Sequence, residues 1–165
     1  MIKTNQSGKH FPAISLTSQK GSVTVEMALL LIVMLMIMAG VFEFSRAFWY
    51  YNALDKSTRD AARFMSAVTS IDITNSNNTA SAVATAKSLA LLTANGANVS
   101  PPLTASNIDI KCDAAACTGT KPSNVTVTIT NFTLKIGSFF PFILVPGGNY
   151  GNTTLSPSTT MRYMN

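Results

Sequence analysis

The chain has 165 residues, of which 47% are hydrophobic and only 12% are charged, about half the charged fraction of an ordinary soluble domain. That length fits one small domain and one membrane helix. The formal net charge is +5, but three of the twelve basic residues, Lys3, Lys9 and Lys20, precede the first long apolar segment. The remaining nine face seven acidic residues, so the charge balance argues against nucleic acid as a partner of the domain.

Residues 1–21 form a basic, acid-free leader ahead of the apolar segment. This is the positive-inside pattern, which predicts that the amino terminus stays cytoplasmic and that most of the chain is exported. The apolar stretch within the leader, Phe11–Leu16, is too short to span a membrane. We expect it to be an unstructured arm and exclude it from the fold.

A single carboxylate, Glu26, stands at the start of Met27–Phe42, sixteen residues without a charge. An acid at the edge of hydrocarbon costs about 1–3 kcal/mol and therefore marks a candidate functional site. The polar-to-apolar junction at Lys20-Gly21 is a place where a membrane peptidase can cut. Cleavage after Gly21 would give Ser22 a new α-amino group about 6 Å from Glu26 along a helix.

Helical periodicity continues beyond the apolar segment and predicts one helix from about Ser22 to Val68, about 70 Å long. Acidic and basic residues from Glu43 to Arg63 are expected on its polar faces, with Asp55–Arg59 and Lys56–Asp60 as i,i+4 pairs. The apolar face is predicted to carry small and hydrophobic residues: Phe44, Ala47, Tyr50 or Tyr51, Leu54, Thr58, Ala61, Met65 and Val68.

Six aromatic residues cluster where this helix would leave the membrane: Phe42, Phe44, Phe48, Trp49, Tyr50 and Tyr51. One interpretation is an interfacial belt, since amphipathic rings favour the membrane–water boundary. The other is packing of the helix against the exported domain. Both can hold for different rings.

The second half of the chain predicts an α+β domain, a helix pair on a small antiparallel sheet. A polar loop, Thr74–Thr79, precedes a helix from about Ala80 to Ala94 that ends at Asn95-Gly96 with a left-handed cap. Period-two patterns then predict three strands: Ile108–Lys111, Asn124–Asn131 and Ser158–Met164. The apolar segment Phe139–Gly148 is expected to cover the domain's own core, or else to dock on the membrane or another subunit.

Cys112 and Cys117 are the only cysteines, and in an exported chain they predict a disulfide. Two free thiols or a metal site are the alternatives, although the only histidine, His10, lies in the leader. The redox motif Cys-x-x-Cys and a Gly-rich phosphate loop are both absent from the sequence, as is a histidine base in the domain. We therefore expect no metal, no cofactor and no enzyme activity.

The junction Gly21–Glu26 resembles the processing site of type IV prepilin-like proteins, where a peptidase cleaves after Gly and the Glu at the fifth mature position is retained. Residues Val41–Arg63 are similar to the TadE-like family, the pseudopilins of tight-adherence (Flp) pilus systems. The tail Leu155–Tyr163 resembles the strand that ends many members. Met27 departs from the Tyr typical of Flp pilins, which, like the chain length, favours a pseudopilin over a major pilin.

The resemblance implies a leader at 1–21, a transmembrane helix at 22–45 and an exported pseudopilin domain at 46–165. It further implies processing at Gly21-Ser22, a subunit-assembly role for Glu26, and a location in the inner membrane. The implied partners are a prepilin peptidase, other pilin-like subunits, the inner-membrane secretion platform and membrane lipid. Two alternatives stay open: a membrane-anchored exported binding protein, and a secreted adhesin whose signal peptide is cut after Ser45-Arg46-Ala47.

Overall fold

The computed structural model describes residues 20–118, 120–137 and 151–165. It is α+β, as predicted, and divides into two compact units, Met1–Ile37 and Met38–Asn165. The expectations for the leader arm and for the apolar segment Phe139–Gly148 concern residues outside the described part of the chain.

The first element, α1 (Lys20–Ser66), is a helix of 47 residues. Its sequence contains no proline, and its many Ala, Leu and Met residues favour a helix, although Gly40 costs about 1 kcal/mol relative to alanine. The predicted buried face is confirmed at Leu54, Ala61 and Met65, which are fully buried in the core of the second unit. It is wrong at Phe44, which is 72% exposed because it lies well to one side of the stripe that those residues form.

Two helices follow α1, where the sequence predicted a loop and one helix. The short α2 (Ser70–Thr74) begins at a Thr69 cap, whose hydroxyl accepts from the amide of Asp72. Asn75 ends α2 and also caps α3 (Ser76–Gly96), so the predicted loop Thr74–Thr79 is wrong. The left-handed cap predicted at Asn95-Gly96 is wrong, because both residues belong to α3; the left-handed residue is Asn98, with φ 55°, two positions beyond Gly96. The side chains of Thr69 and Asn75 supply the two caps, and Asn75 lies in the segment that was predicted to be a loop.

The strands form two antiparallel sheets. A short 3-10 turn, Ala105–Asn107, precedes the first strand. The strand bounds are β1 Ile108–Cys112, β2 Ala115–Ala116, β3 Asn124–Ile129, β4 Phe132–Lys135, β5 Asn152–Leu155 and β6 Ser158–Arg162. A four-stranded sheet has the order β2-β1-β3-β6, and β4 pairs with β5 in a separate ribbon.

Alternation along β1 and β3 places the core on one face of the larger sheet. The register pairs Ile108 with Ile129 and Ile110 with Val127, and all four side chains are buried. On the other face the hydroxyls of Thr126 and Thr160 lie 2.8 Å apart across β3 and β6. The predicted strands are therefore confirmed as a sheet with one buried and one polar face.

The hairpin between β1 and β2 carries the predicted disulfide, which is present between Cys112 and Cys117. Asp113 and Ala114 form its two-residue turn, with φ values of 49° and 67°. The carboxylate of Asp113 accepts the backbone N–H groups of Ser123 and Asn124, each at 2.8 Å. The turn thus joins the disulfide hairpin to the start of β3.

Candidate functional site

The predicted cleavage junction lies in the first turn of α1, which begins at Lys20. Glycine costs about 1 kcal/mol relative to alanine within a helix, so Gly21 weakens the helix beside the bond between Gly21 and Ser22.

Nothing in the described part of the chain requires glycine at position 21. A Cβ built there meets no atom within 4 Å, and φ at this residue lies outside the left-handed range that favours glycine. Packing and backbone conformation thus leave the identity of this residue unexplained. An enzyme that must approach the backbone closely would explain it.

Glu26 lies one helical turn beyond Ser22, on the same side of α1. Both residues are exposed, and α1 has no acidic residue in its first turn. Side chains of helical residues lean towards the amino terminus, so the carboxylate of Glu26 points in the direction of Ser22. An α-amino group at Ser22 would be within reach of this carboxylate, on the same chain or on a helix packed alongside.

The residues after Glu26 form the apolar part of the candidate site. In the described part of the chain, one helix is long and apolar enough to span a membrane, at Gly21–Ser66, with a mean hydropathy of 2.6 in its most apolar window. Only 6% of that window is buried. A buried core helix of a soluble domain would hide most of these side chains, so the exposure favours the membrane interpretation.

A second charged cluster follows directly, and the sequence reading missed it. The Arg46 guanidinium forms an ion pair with Glu43 at 2.7 Å and donates to the carbonyl of Lys135 at 2.8 Å. It also lies 5.9 Å from the centre of the Tyr50 ring. The Arg46 and Glu43 side chains are only 17% and 12% exposed, which corrects their predicted place on a polar face. The contact with β4 joins residues 89 apart in sequence and has no local signal.

The aromatic cluster divides into one buried ring and five exposed rings. Tyr50 is buried in the core, as the packing interpretation requires. The other five rings are 44–72% exposed: Phe42, Phe44, Phe48, Trp49 and Tyr51. The indole N–H of Trp49 donates to the carbonyl of Ala97 at 3.3 Å, so its polar atom has a partner although its ring is exposed.

Comparison with known families gives a match over most of α1. Residues 21–63 match the TadE-like protein family. The resemblance stated from the sequence is thereby confirmed for α1 from Gly21 to Arg63. Searches of curated proteins and of solved structures found no match.

The TadE-like match includes Gly21, Ser22 and Glu26 and ends three residues before α1 does. The remaining helices, both sheets and the disulfide lie outside the matched residues.

Proposed function

We propose that this chain is a pilin-like (pseudopilin) subunit required for assembly of a tight-adherence (Flp) pilus. The observation that carries the proposal is the TadE-like match, which starts at the Gly21-Ser22 junction and follows a single helix through Glu26. Residues 1–21 are the leader, 22–45 cross the inner membrane with a cytoplasmic amino terminus, and 46–165 are exported. The role is structural, and no catalytic residue is assigned.

In this proposal a prepilin peptidase cuts between Gly21 and Ser22 and creates the cation that Glu26 needs. An ionised carboxylate in an apolar layer is strongly unfavourable unless it is paired. The amine of Ser22 on a neighbouring subunit is a partner that forms only when two helices pack in the correct axial register. Other pilin-like subunits and the inner-membrane secretion platform are therefore the proposed partners.

Replacement of Glu26 tests the assembly step separately from insertion. We expect Glu26→Gln to be inserted and processed normally, since the apolar segment and Gly21 are unchanged. It should fail to co-purify with other pilin-like subunits and fail to support piliation. Glu26→Asp should be intermediate, because its shorter side chain reaches the amine poorly.

Asp60→Asn provides the matched control, since it removes one negative charge from the same helix in the exported part of the chain. This variant should assemble like the parent. If Glu26→Gln also assembles and supports adherence like the parent, Glu26 has no assembly role. A membrane-anchored binding protein would then be the better account.

A further inference from the structure

The uncharged segment of α1 is shorter than a bilayer core. Met27–Phe42 covers about 24 Å at the helical rise, against about 30 Å of hydrocarbon. Ser22–Glu26, which the proposed function also places in the membrane, adds about 7.5 Å at the cytoplasmic end. The hydrocarbon therefore ends near Phe42. The next four residues, Glu43–Arg46, include two charges, so the position of the membrane boundary depends on where their side chains lie.

Between Phe42 and Trp49 the usual arrangement of a surface helix is inverted. Glu43 and Arg46 are turned inward, pair with each other, and are largely buried. The large outward side chains are the exposed rings of Phe42, Phe44, Phe48 and Trp49. In water this arrangement is unfavourable, because apolar rings are exposed and two charged side chains lose their contact with solvent. In lipid it is favourable, because the rings contact hydrocarbon and the charges are kept away from it.

Outward polar groups in this stretch are satisfied within the protein. The hydroxyl of Ser45 donates to the carbonyl of Val41 at 2.8 Å, and the indole of Trp49 donates to Ala97. The first outward polar side chain that follows the rings is Asn52, with Lys56 one turn later. The chemistry of the helix surface therefore changes just after Tyr51.

The width of the aromatic surface indicates what covers it. At about 100° per residue, the rings at positions 42, 44, 48, 49 and 51 spread over about half of the helix circumference. A single partner helix contacts a narrower stripe. Lipid contacts a helix on every side that protein leaves free. The lipid around the adjoining apolar segment would therefore also contact these rings.

We propose that the membrane interface reaches Tyr51, so that Phe44, Phe48 and Trp49 lie against lipid and the inward Glu43–Arg46 pair lies at the edge of the hydrocarbon. This inference rests on the membrane-spanning part of the proposed function. It moves the membrane boundary about one and a half turns beyond residue 45. The carbonyls of Lys135 and Ala97, which contact this level of the helix, mark the membrane-proximal end of the exported unit.

Trp49 is the only tryptophan and reports directly on this boundary. The full chain is reconstituted in phosphatidylcholine–phosphatidylglycerol vesicles, and flotation establishes insertion. Acrylamide then probes exposure to water, and lipids with a quencher at a shallow or deep acyl position probe depth. A second reporter, Lys56→Trp in the Trp49→Phe background, lies on the same side of α1 about 10 Å further from the apolar segment.

We expect Trp49 to be quenched by the shallow lipid probe more than by the deep one, and to be severalfold less sensitive to acrylamide than the Lys56→Trp reporter. Equal acrylamide sensitivity of the two reporters in floated vesicles would overturn the inference and leave the proposed function standing. Protection of Trp49 from both probes, reversed by diluting the protein in lipid, would assign this surface to a second chain and also overturn it. Failure to float would reject the membrane-spanning proposal itself.

Discussion

Tyr163 ties the carboxyl-terminal strand to the end of α1. Its side chain is 7% exposed, and its hydroxyl donates to the carbonyl of Val68 at 2.6 Å. Next to it, the amide of Met164 donates to the carbonyl of Ser66 at 3.1 Å. These bonds occupy carbonyls at and just beyond the helix end, and α1 stops at Ser66 rather than at the predicted Val68.

Tyr163→Phe keeps the buried ring and removes the hydroxyl. The side-chain amide of Asn165 also donates to the carbonyl of Val68, at 3.2 Å, so that carbonyl keeps one partner. We therefore expect a loss near that of an ordinary hydrogen bond, about 1 kcal/mol in the free energy of unfolding. For a unit of this size that corresponds to a fall of about 3–5 °C in Tm.

The same hydroxyl predicts a dependence on alkaline pH. Burial, and secondarily the negative charge of Asp72, raise the pKa of Tyr163 above its ordinary value. The folded state therefore keeps this proton at a pH where the unfolded chain, with a tyrosine pKa of about 10, releases it. Stability from this group is complete below about pH 10 and is lost as the pH rises through the raised pKa.

The measurement is thermal unfolding of the full chain in detergent, followed by near-ultraviolet circular dichroism between about pH 8 and pH 11. The difference between the parent and Tyr163→Phe should be constant up to about pH 10 and should shrink above it. Tyr51→Phe, which removes an exposed hydroxyl from α1, should match the parent throughout. A difference that stays unchanged to the highest pH would refute the argument for a buried, raised-pKa hydroxyl.

The remaining predictions concern the β1–β2 hairpin. Replacement of Cys112 and Cys117 by Ser should lower the free energy of unfolding by about 2 kcal/mol, the chain-entropy value for so short a loop. Alkylation of the cysteines in the parent protein should require a reductant. Ala114→Gly should raise stability by about 0.5 kcal/mol, because it relieves a left-handed alanine at φ 67°. Asp113→Ala should lower the free energy of unfolding by about 1–2 kcal/mol, because the carboxylate no longer accepts the backbone N–H groups of Ser123 and Asn124. For each of these variants, a denaturant midpoint equal to that of the parent would contradict the estimate.

Much of the fold follows from periodicity in the sequence. The long helix and the strands β1, β3 and β6 were predicted because each carries a repeated pattern over several residues. The short elements were missed: α2 has five residues, and β4 and β5 have four each. Four residues place only two side chains on each face of a strand, so pairing decides the structure.

The candidate site shows the same division between local and distant information. Gly21, Ser22 and Glu26 can be proposed from sequence because their chemistry depends on spacing along one helix, and their roles stay predictions. The inward position of Arg46 depends on β4, far away in the chain, and therefore has no local signal. From the sequence alone, Glu43 and Arg46 are therefore expected on an ordinary solvent-exposed helix face.

Expression of the full chain, followed by amino-terminal sequencing of the protein extracted from membranes, tests the central claim most directly. Cleavage at the Gly21-Ser22 junction predicts Ser22 as the first residue, and Gly21→Leu should abolish that product and leave a precursor about twenty residues larger. Matched extraction of both variants controls for unrelated proteolysis. A first residue of Met1 would contradict prepilin-type processing, and a first residue of Phe48 would indicate a removable signal peptide instead.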